Sequence, residues 1–317
     1  MLWIHTFELA KRKGRTVMTS GLLLIIIAGI CWIGAGIIVS ACSARSWNYN
    51  IVQGLSYLGA TLICALLLIG KAVSHSSWEA PGWSVLASCL AGIANFYAFD
   101  FTAKAMQRGP NGLVWGIMQA GMIGSFLMGV ICFGEKAAPL RLLGLVLILI
   151  GVLTMGLSKD EKSAVGGKNW ILPSLIAFLL VMTTHCCNTL PSYFPETAGS
   201  DALFRTMGLY FGGVIGFALT SLPGMIRERK FGGRGEWITA GILMILNTSA
   251  SVFFFYKGLD LLAEAGCGGL GYPVSIGVCI VGFSLYSLLI LKEKIARLGL
   301  AGLISVCMGI IILSIRW

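Results

Sequence analysis

Ten apolar runs, each about the length of a membrane crossing, follow one another along this 317-residue chain with hardly any sequence between them. They cover 18–41, 50–71, 83–106, 111–133, 138–157, 170–190, 202–223, 237–260, 265–291 and 296–315. A bilayer core about 30 Å thick asks for roughly 20 mostly apolar residues per spanning helix, and each run supplies them. Apolar residues are continuous within the runs rather than alternating, which argues against a β-barrel. Connections such as GEKAAPL at 134–140 and LKEKIARL at 291–298 leave no room for a soluble domain. With 57% hydrophobic and 11% charged residues and a mean hydropathy of +0.87, the chain reads as an all-α integral membrane protein.

The chain also repeats itself. Shifted by 158 residues, 97–157 aligns with 255–315 without a gap, so that Gly124 meets Gly282, Glu135 meets Glu293 and Lys136 meets Lys294. Gly144 then meets Gly302 and Gly151 meets Gly309, with Leu127, Leu140, Leu142 and Leu145 on Leu285, Leu298, Leu300 and Leu303. Leucine matches are cheap in so apolar a sequence, but a Glu-Lys pair and three glycines at one offset are not. Each half holds five helices. An odd number of crossings turns the second copy upside down relative to the first, which is the inverted-repeat architecture of many secondary transporters. The expected organisation is a basic tail at 1–17, a first repeat at 18–158, a linker at 159–169 and a second repeat at 170–317.

The first repeated segment, FYAFDFTAKAMQRGPNGLVWGIMQAGMIGSFLMGVICFGEKAAPLRLLGLVLILIGVLTMGL, and the end of the second, LKEKIARLGLAGLISVCMGIIILSI, resemble the drug/metabolite transporter superfamily, in particular its EamA-like ten-helix members. The resemblance rests on a short glutamate-containing loop, at Glu135 and Glu293, followed by a helix opening with Gly144 and Gly302. It implies a secondary transporter of a small organic metabolite, working by alternating access as an exporter. FFFYKG at 253–258 and LKEK at 291–294 also echo the rhamnose-proton symporter branch, so proton-coupled sugar uptake is an alternative. A lipid-handling or scaffold protein without a soluble substrate is a further one.

Polar groups inside apolar spans are costly in hydrocarbon and usually face a cavity or a partner. VMTTHCCNTLPSYF at 181–194 carries Thr184, His185 and Asn188 on one helical face. His185 is expected to line a solute cavity, offering a hydrogen bond or a titratable proton. A metal site at HCC is disfavoured, because adjacent side chains diverge by about 100° on a helix. Asn95, Gln119 and Asn247 lie near the centres of their runs, and Trp32 and Trp115 sit within spans rather than at interfaces. In the resembled family these helices line the central cavity. Trp32, Asn95, Trp115, Gln119, His185, Asn188, Asn247 and Tyr272 are therefore the expected solute contacts.

The ninth run opens as AGCGGLGYP, with Gly268, Gly269 and Gly271 ahead of Pro273, and the first half has RGPNG with Gly109 and Pro110 at the matching place. Glycine adds backbone freedom and proline removes an amide donor. Interrupted segments at corresponding places in two halves point to a gate. Two charge pairs, Asp100 with Lys104 and Lys257 with Asp260, have spacings that allow each to neutralise itself on its helix.

The remaining features narrow the class. No G-x-S-x-G, P-loop, paired zinc ligands or mid-membrane aspartate pair is present, so neither an enzyme nor a cofactor is expected. The ten cysteines fall mostly within apolar runs, where a thiol acts as a small hydrophobe. VSAC at 39–42 follows an apolar stretch too long for a signal peptide, so Cys42 is not read as a lipoprotein cysteine. The net charge of +10 belongs to loops and suits anionic headgroups, with no nucleic-acid motif. KRKGR at 11–15 places both termini in the cytoplasm of a plasma (inner) membrane protein, whereas the second-half loops KDEKSAVGGK and RERKFGGRGE pull the other way. The expected partners are a small solute, membrane lipids and a coupled proton or sodium ion, in a monomer or a dimer.

Overall fold

A computed structural model describes residues 2–45, 47–74, 82–106, 114, 117–157, 170–194, 196–197, 202–290 and 297–314. Ten apolar helices order the described chain: α1 (Leu2–Ala44), α2 (Tyr49–Ser74), α3 (Gly82–Met106), α4 (Ile117–Phe133), α5 (Pro139–Leu157), α6 (Ile171–Thr189), α7 (Ala202–Thr220), α8 (Arg234–Glu264), α9 (Gly271–Leu289) and α10 (Arg297–Ser314). Seven of the apolar segments are long and apolar enough to cross a membrane, and those of α4, α5 and α10 are shorter. No strand occurs among the described residues. In a solvent without water, a helix is the element that satisfies every backbone amide within one segment.

Local chemistry sets the element ends. α1 continues back through the basic tail to Leu2. α4 stops at Gly134, whose φ of 65° is the left-handed conformation that favours glycine. α8 ends on Gly266, φ 70°, with Cys267 N–H bonded to the Leu262 carbonyl and Gly266 N–H to the Ala263 carbonyl. Those two bonds form a Schellman cap. A short helix, Leu222–Glu228, with proline in its first turn, precedes α8. Within α8 a π-helical stretch, Ala250–Phe255, widens one turn, a distortion often found at functional sites.

Glycines set the close helix crossings, and the crossings give the directions of the helices. Gly208 lies against Val85 and Gly212 against Cys89, so α3 and α7 run parallel. Gly29 against Ser275 and Gly36 against Phe283 make α1 and α9 parallel, and Gly121 against Phe178 and Gly124 against Met182 do the same for α4 and α6. Gly21 meets Leu262 whereas Gly34 meets Leu246, so α1 and α8 are antiparallel. α5 and α10 are antiparallel too: Gly144 abuts Gly309, Gly151 abuts Gly302, and Ser305 Oγ donates to the Leu147 carbonyl at 2.7 Å. Helices an even number of steps apart in this set run together and those an odd number apart run opposed, as in a chain that reverses at each connection.

The main core gathers Ile25, Phe126, Ile148, Phe255, Leu259 and Val306 from both halves of the sequence. α9 is the most enclosed of the seven long spans, with 72% of its apolar window buried. Large apolar side chains such as Leu66, Ile131 and Leu172 stay exposed on the outside of the bundle, as lipid-facing residues do.

Candidate functional site

A cavity of about 180 Å³ lies among α1, α2, α3, α4, α6, α7, α8 and α9. Seven of the eight expected solute contacts line it: Trp32, Asn95, Gln119, His185, Asn188, Asn247 and Tyr272. The eighth, Trp115, lies outside the described residues, as do Gly109 and Pro110. The cavity extends towards the end of the bundle where α1 and α3 finish and α2 begins, since Tyr49 and Phe99 belong to its lining. Their rings stand 5.9 Å apart between centroids. The π-helical stretch of α8 contributes Ser251, just beyond Asn247.

α6 and α9 build one wall. The His185 ring stacks on Tyr272, with centroids 3.8 Å apart and planes 19° from parallel. Its Nδ1 has no hydrogen-bond partner, and the ring lies close to the Gly121 backbone. One turn on, Asn188 Nδ2 donates to Tyr272 Oη at 2.9 Å and Asn188 Oδ1 accepts from Tyr256 Oη at 3.1 Å. Asn188 is thus a strut joining α6, α8 and α9. Phe255 packs edge-on to Tyr272 at 4.8 Å and tilted to Trp32 at 4.9 Å, so Trp32 closes an aromatic cluster from α1.

On the opposite wall Tyr57 Oη accepts from Asn95 Nδ2 and from Gln53 Nε2, both at 2.7 Å. Asn95 is therefore anchored as the sequence did not foresee. Gln53 is 2% exposed, and its Oε1 has no partner. Gln53 and Tyr57 are cavity residues missed by the sequence reading. The signal was available, since a Gln and a Tyr four apart within an apolar run share a face.

Arg205 is the larger omission. It is fully buried in α7 and bonds Asp260 Oδ1 at 2.7 Å, the Asn188 carbonyl at 2.8 Å and Ser192 Oγ at 2.9 Å. Its guanidinium also lies 4.3 Å from the centre of the Tyr256 ring. The expected Lys257–Asp260 pair is corrected accordingly: Asp260 turns to the buried arginine, and Lys257 is exposed. A planar fork satisfies several acceptors at once, which a lysine ammonium on the helix surface does not. The Asp100–Lys104 pair does form, and Asp100 also accepts from Asn50.

The expected gate residues of the second half lie at the other end of the bundle. Gly268 and Gly269 belong to a 3-10 turn, Gly268–Leu270, and Gly271 and Pro273 open α9. Gly268 and Gly269 therefore precede the helix, Gly271 is its first residue, and none of them interrupts it. Gly269 N–H points to both oxygens of Glu135 at 3.3 Å, and Tyr193 Oη donates to Glu135 Oε1 at 2.8 Å. Glu135 thereby ties the loop after α4 to α6 and α9. Burial pushes its carboxyl above the usual carboxylate value, more than the Tyr193 and backbone hydrogen bonds pull it down. Outside this contact a wide cleft is lined by Met18, Lys136, Arg141 and Ala263. Glu293 lies outside the described residues. Among the described residues no cluster of three His, Cys, Asp or Glu side chains could hold a metal ion.

The resemblance read from the sequence can now be set against known proteins. Residues 19–157 match the EamA-like transporter family. The EamA-like region runs from α1 through α5, the segment expected from the sequence to be the first repeat, and it is in this part that the chain is similar to that family. Twenty-two solved chains match the fold. One crystal structure superposes with a TM-score of 0.68 over 93% of this chain and 96% of the other at 16% identity, which establishes a shared fold. No curated protein matches the chain. The EamA-like match and the apolar helices support an integral membrane protein.

Proposed function

We propose that the chain is a secondary transporter that moves a small organic solute by alternating access through the cavity bounded by Trp32, His185, Asn247 and Tyr272. The observation that carries this reading is the convergence of polar residues from six apolar helices, among them Gln53, Asn95, Gln119, His185, Asn247 and Tyr272, on one cavity inside the bundle. Hydrocarbon-facing positions do not accumulate such groups.

In this reading ten crossings form two inverted five-helix repeats, 18–158 and 170–317, joined by the linker 159–169. The Gly144–Gly309 and Gly151–Gly302 contacts support it: 302 and 309 are 144 and 151 carried forward by the repeat offset, so each contact is the other's image. An inverted pair related by a two-fold axis in the membrane plane has this property. The cavity reaches towards one end of the bundle, while Glu135, Tyr193 and Gly269 seal the other. Rocking of one repeat against the other breaks that seal and closes the opposite mouth. With both termini cytoplasmic, the sealed end faces the cytoplasm and the chain serves export. Uptake coupled to a proton is the second reading, favoured by the buried Glu135 carboxyl.

Cys279 lines the cavity and reads its exposure. In a variant keeping Cys279 as its single cysteine, a membrane-impermeant maleimide is expected to label it both from intact cells and in inverted vesicles. Labelling from one side only, or from neither, contradicts alternating access.

A further inference from the structure

The chemistry of the cavity wall identifies the kind of solute, on the assumption that the cavity is the transport site. Among the described residues, none of the lining side chains is Asp, Glu, Lys or Arg. The nearby ionised groups are already matched, Arg205 by Asp260 and Asp100 by Lys104. A solute carrying net charge would leave water and find no countercharge, which is strongly unfavourable in a low-dielectric site.

Two buried polar atoms of the lining lack partners among the described residues. Gln53 uses its amide nitrogen on Tyr57, leaving Oε1 as a bare acceptor. His185 Nδ1 is also without a partner, and an imidazole nitrogen forms a hydrogen bond as donor or acceptor according to its tautomer. Gln53 and His185 are 2% and 5% exposed, so bulk water does not serve either atom. Gln53 Oε1 calls for a hydrogen-bond donor and His185 Nδ1 for a hydrogen-bonding edge beside it.

Size and shape add the rest. A cavity of about 150 Å³ accepts benzene, so about 180 Å³ admits one ring with a small substituent. Trp32, Tyr49, Phe99, Tyr210 and Tyr272 give the walls aromatic character, which suits a flat ring. We infer that the solute is an uncharged, flat, single-ring compound carrying N–H or O–H donors on its edge, held by Gln53 Oε1 and His185 Nδ1.

Three probes of nearly one size separate charge from donors: nicotinamide is neutral with an NH2 group, 1-methylnicotinamide keeps that group but is a cation, and methyl nicotinate is neutral without donors. Binding is read on the purified full-length protein as the shift in thermal unfolding midpoint with probe concentration, since a ligand that binds only the folded state stabilises it by mass action. Nicotinamide is expected to raise the midpoint and to bind at least about tenfold more tightly than the other two, a difference of about 1.4 kcal/mol. Gln53→Leu and His185→Phe, each folded with a cooperative transition, are expected to lose that preference. Equal binding of the cation overturns the charge argument, equal binding of methyl nicotinate overturns the donor argument, and no shift with any probe overturns the single-ring class. The transport reading is tested apart from all three by the two-sided labelling of Cys279, which needs no ligand.

Discussion

Gly144 and Gly309 face each other so closely that a methyl group added to Gly309 would come within 2.6 Å of the Gly144 carbonyl oxygen. The image contact is equally tight, a methyl on Gly151 meeting the Gly302 carbonyl at 2.6 Å. Without a hydrophobic drive between helices in lipid, such backbone approach supplies the packing that holds α5 to α10.

Gly309→Ala and Gly151→Ala are therefore expected to destabilise the protein by about 1–3 kcal/mol each, the range of overpacked cores. Gly241→Ala in α8, where no neighbour lies within 4 Å, is expected to be neutral or to stabilise by about 0.5–1 kcal/mol. Thermal unfolding of the purified variants compares them. Equal behaviour at all three positions would contradict the close α5–α10 crossing.

Removing Arg205 leaves Asp260 beside buried Tyr256 without its cation. Arg205→Met is expected to cost roughly 3 kcal/mol, at the low end for breaking a buried pair because Asp260 keeps 18% of its side chain exposed. Arg205→Met combined with Asp260→Asn is expected to recover part of that loss. Lys257→Met is expected to change stability by less than about 0.5 kcal/mol, as for an ordinary exposed position. A large loss at Lys257 and none at Arg205 would restore the pairing expected from sequence spacing.

Much of this was legible in the sequence for a physical reason. An apolar run of membrane length is a demand on length and composition alone, so most span limits fall within a few residues of the helix ends, with Ala202 at the same position in both, whereas α1 starts back at Leu2 and α9 only at Gly271. Asn95, His185 and Asn247 were found because a polar side chain stands out against hydrocarbon. Arg205 was not, since an arginine four residues into its run reads as a headgroup anchor, and only the fold brings Asp260 of another helix to it. Gly266 falls inside the ninth apolar run although it caps α8, because spacing does not distinguish a glycine that starts one helix from a glycine that caps the one before. The widened turn of the π-helical stretch of α8 has no marker in ASVFFF.

Glu135 gives the sealed end a pH dependence. Its carboxyl is raised in the closed contact by burial, and in an open, hydrated state it returns to the ordinary carboxylate value, so the closed state holds its proton more tightly. Below the ordinary value both states are protonated and closure carries no charge penalty. The penalty grows as pH rises from the ordinary value to the raised one and then stays constant, so acid favours the sealed state. In a variant whose single cysteine is Cys267, buried beside this contact, thiol alkylation is expected to slow as pH falls through that window, after correction for the thiolate fraction. Glu135→Gln is expected to remove the dependence. An unchanged pH profile in the variant would exclude Glu135 as the titrating group.

Solute movement itself is the central claim, and an untargeted comparison of metabolites inside and outside cells tests it most directly. The cells express the intact chain, the His185→Ala variant or neither, over varied carbon and nitrogen sources. The account predicts that at least one small uncharged compound accumulates outside only with the intact chain. Identical metabolite distributions in all three cultures would contradict it.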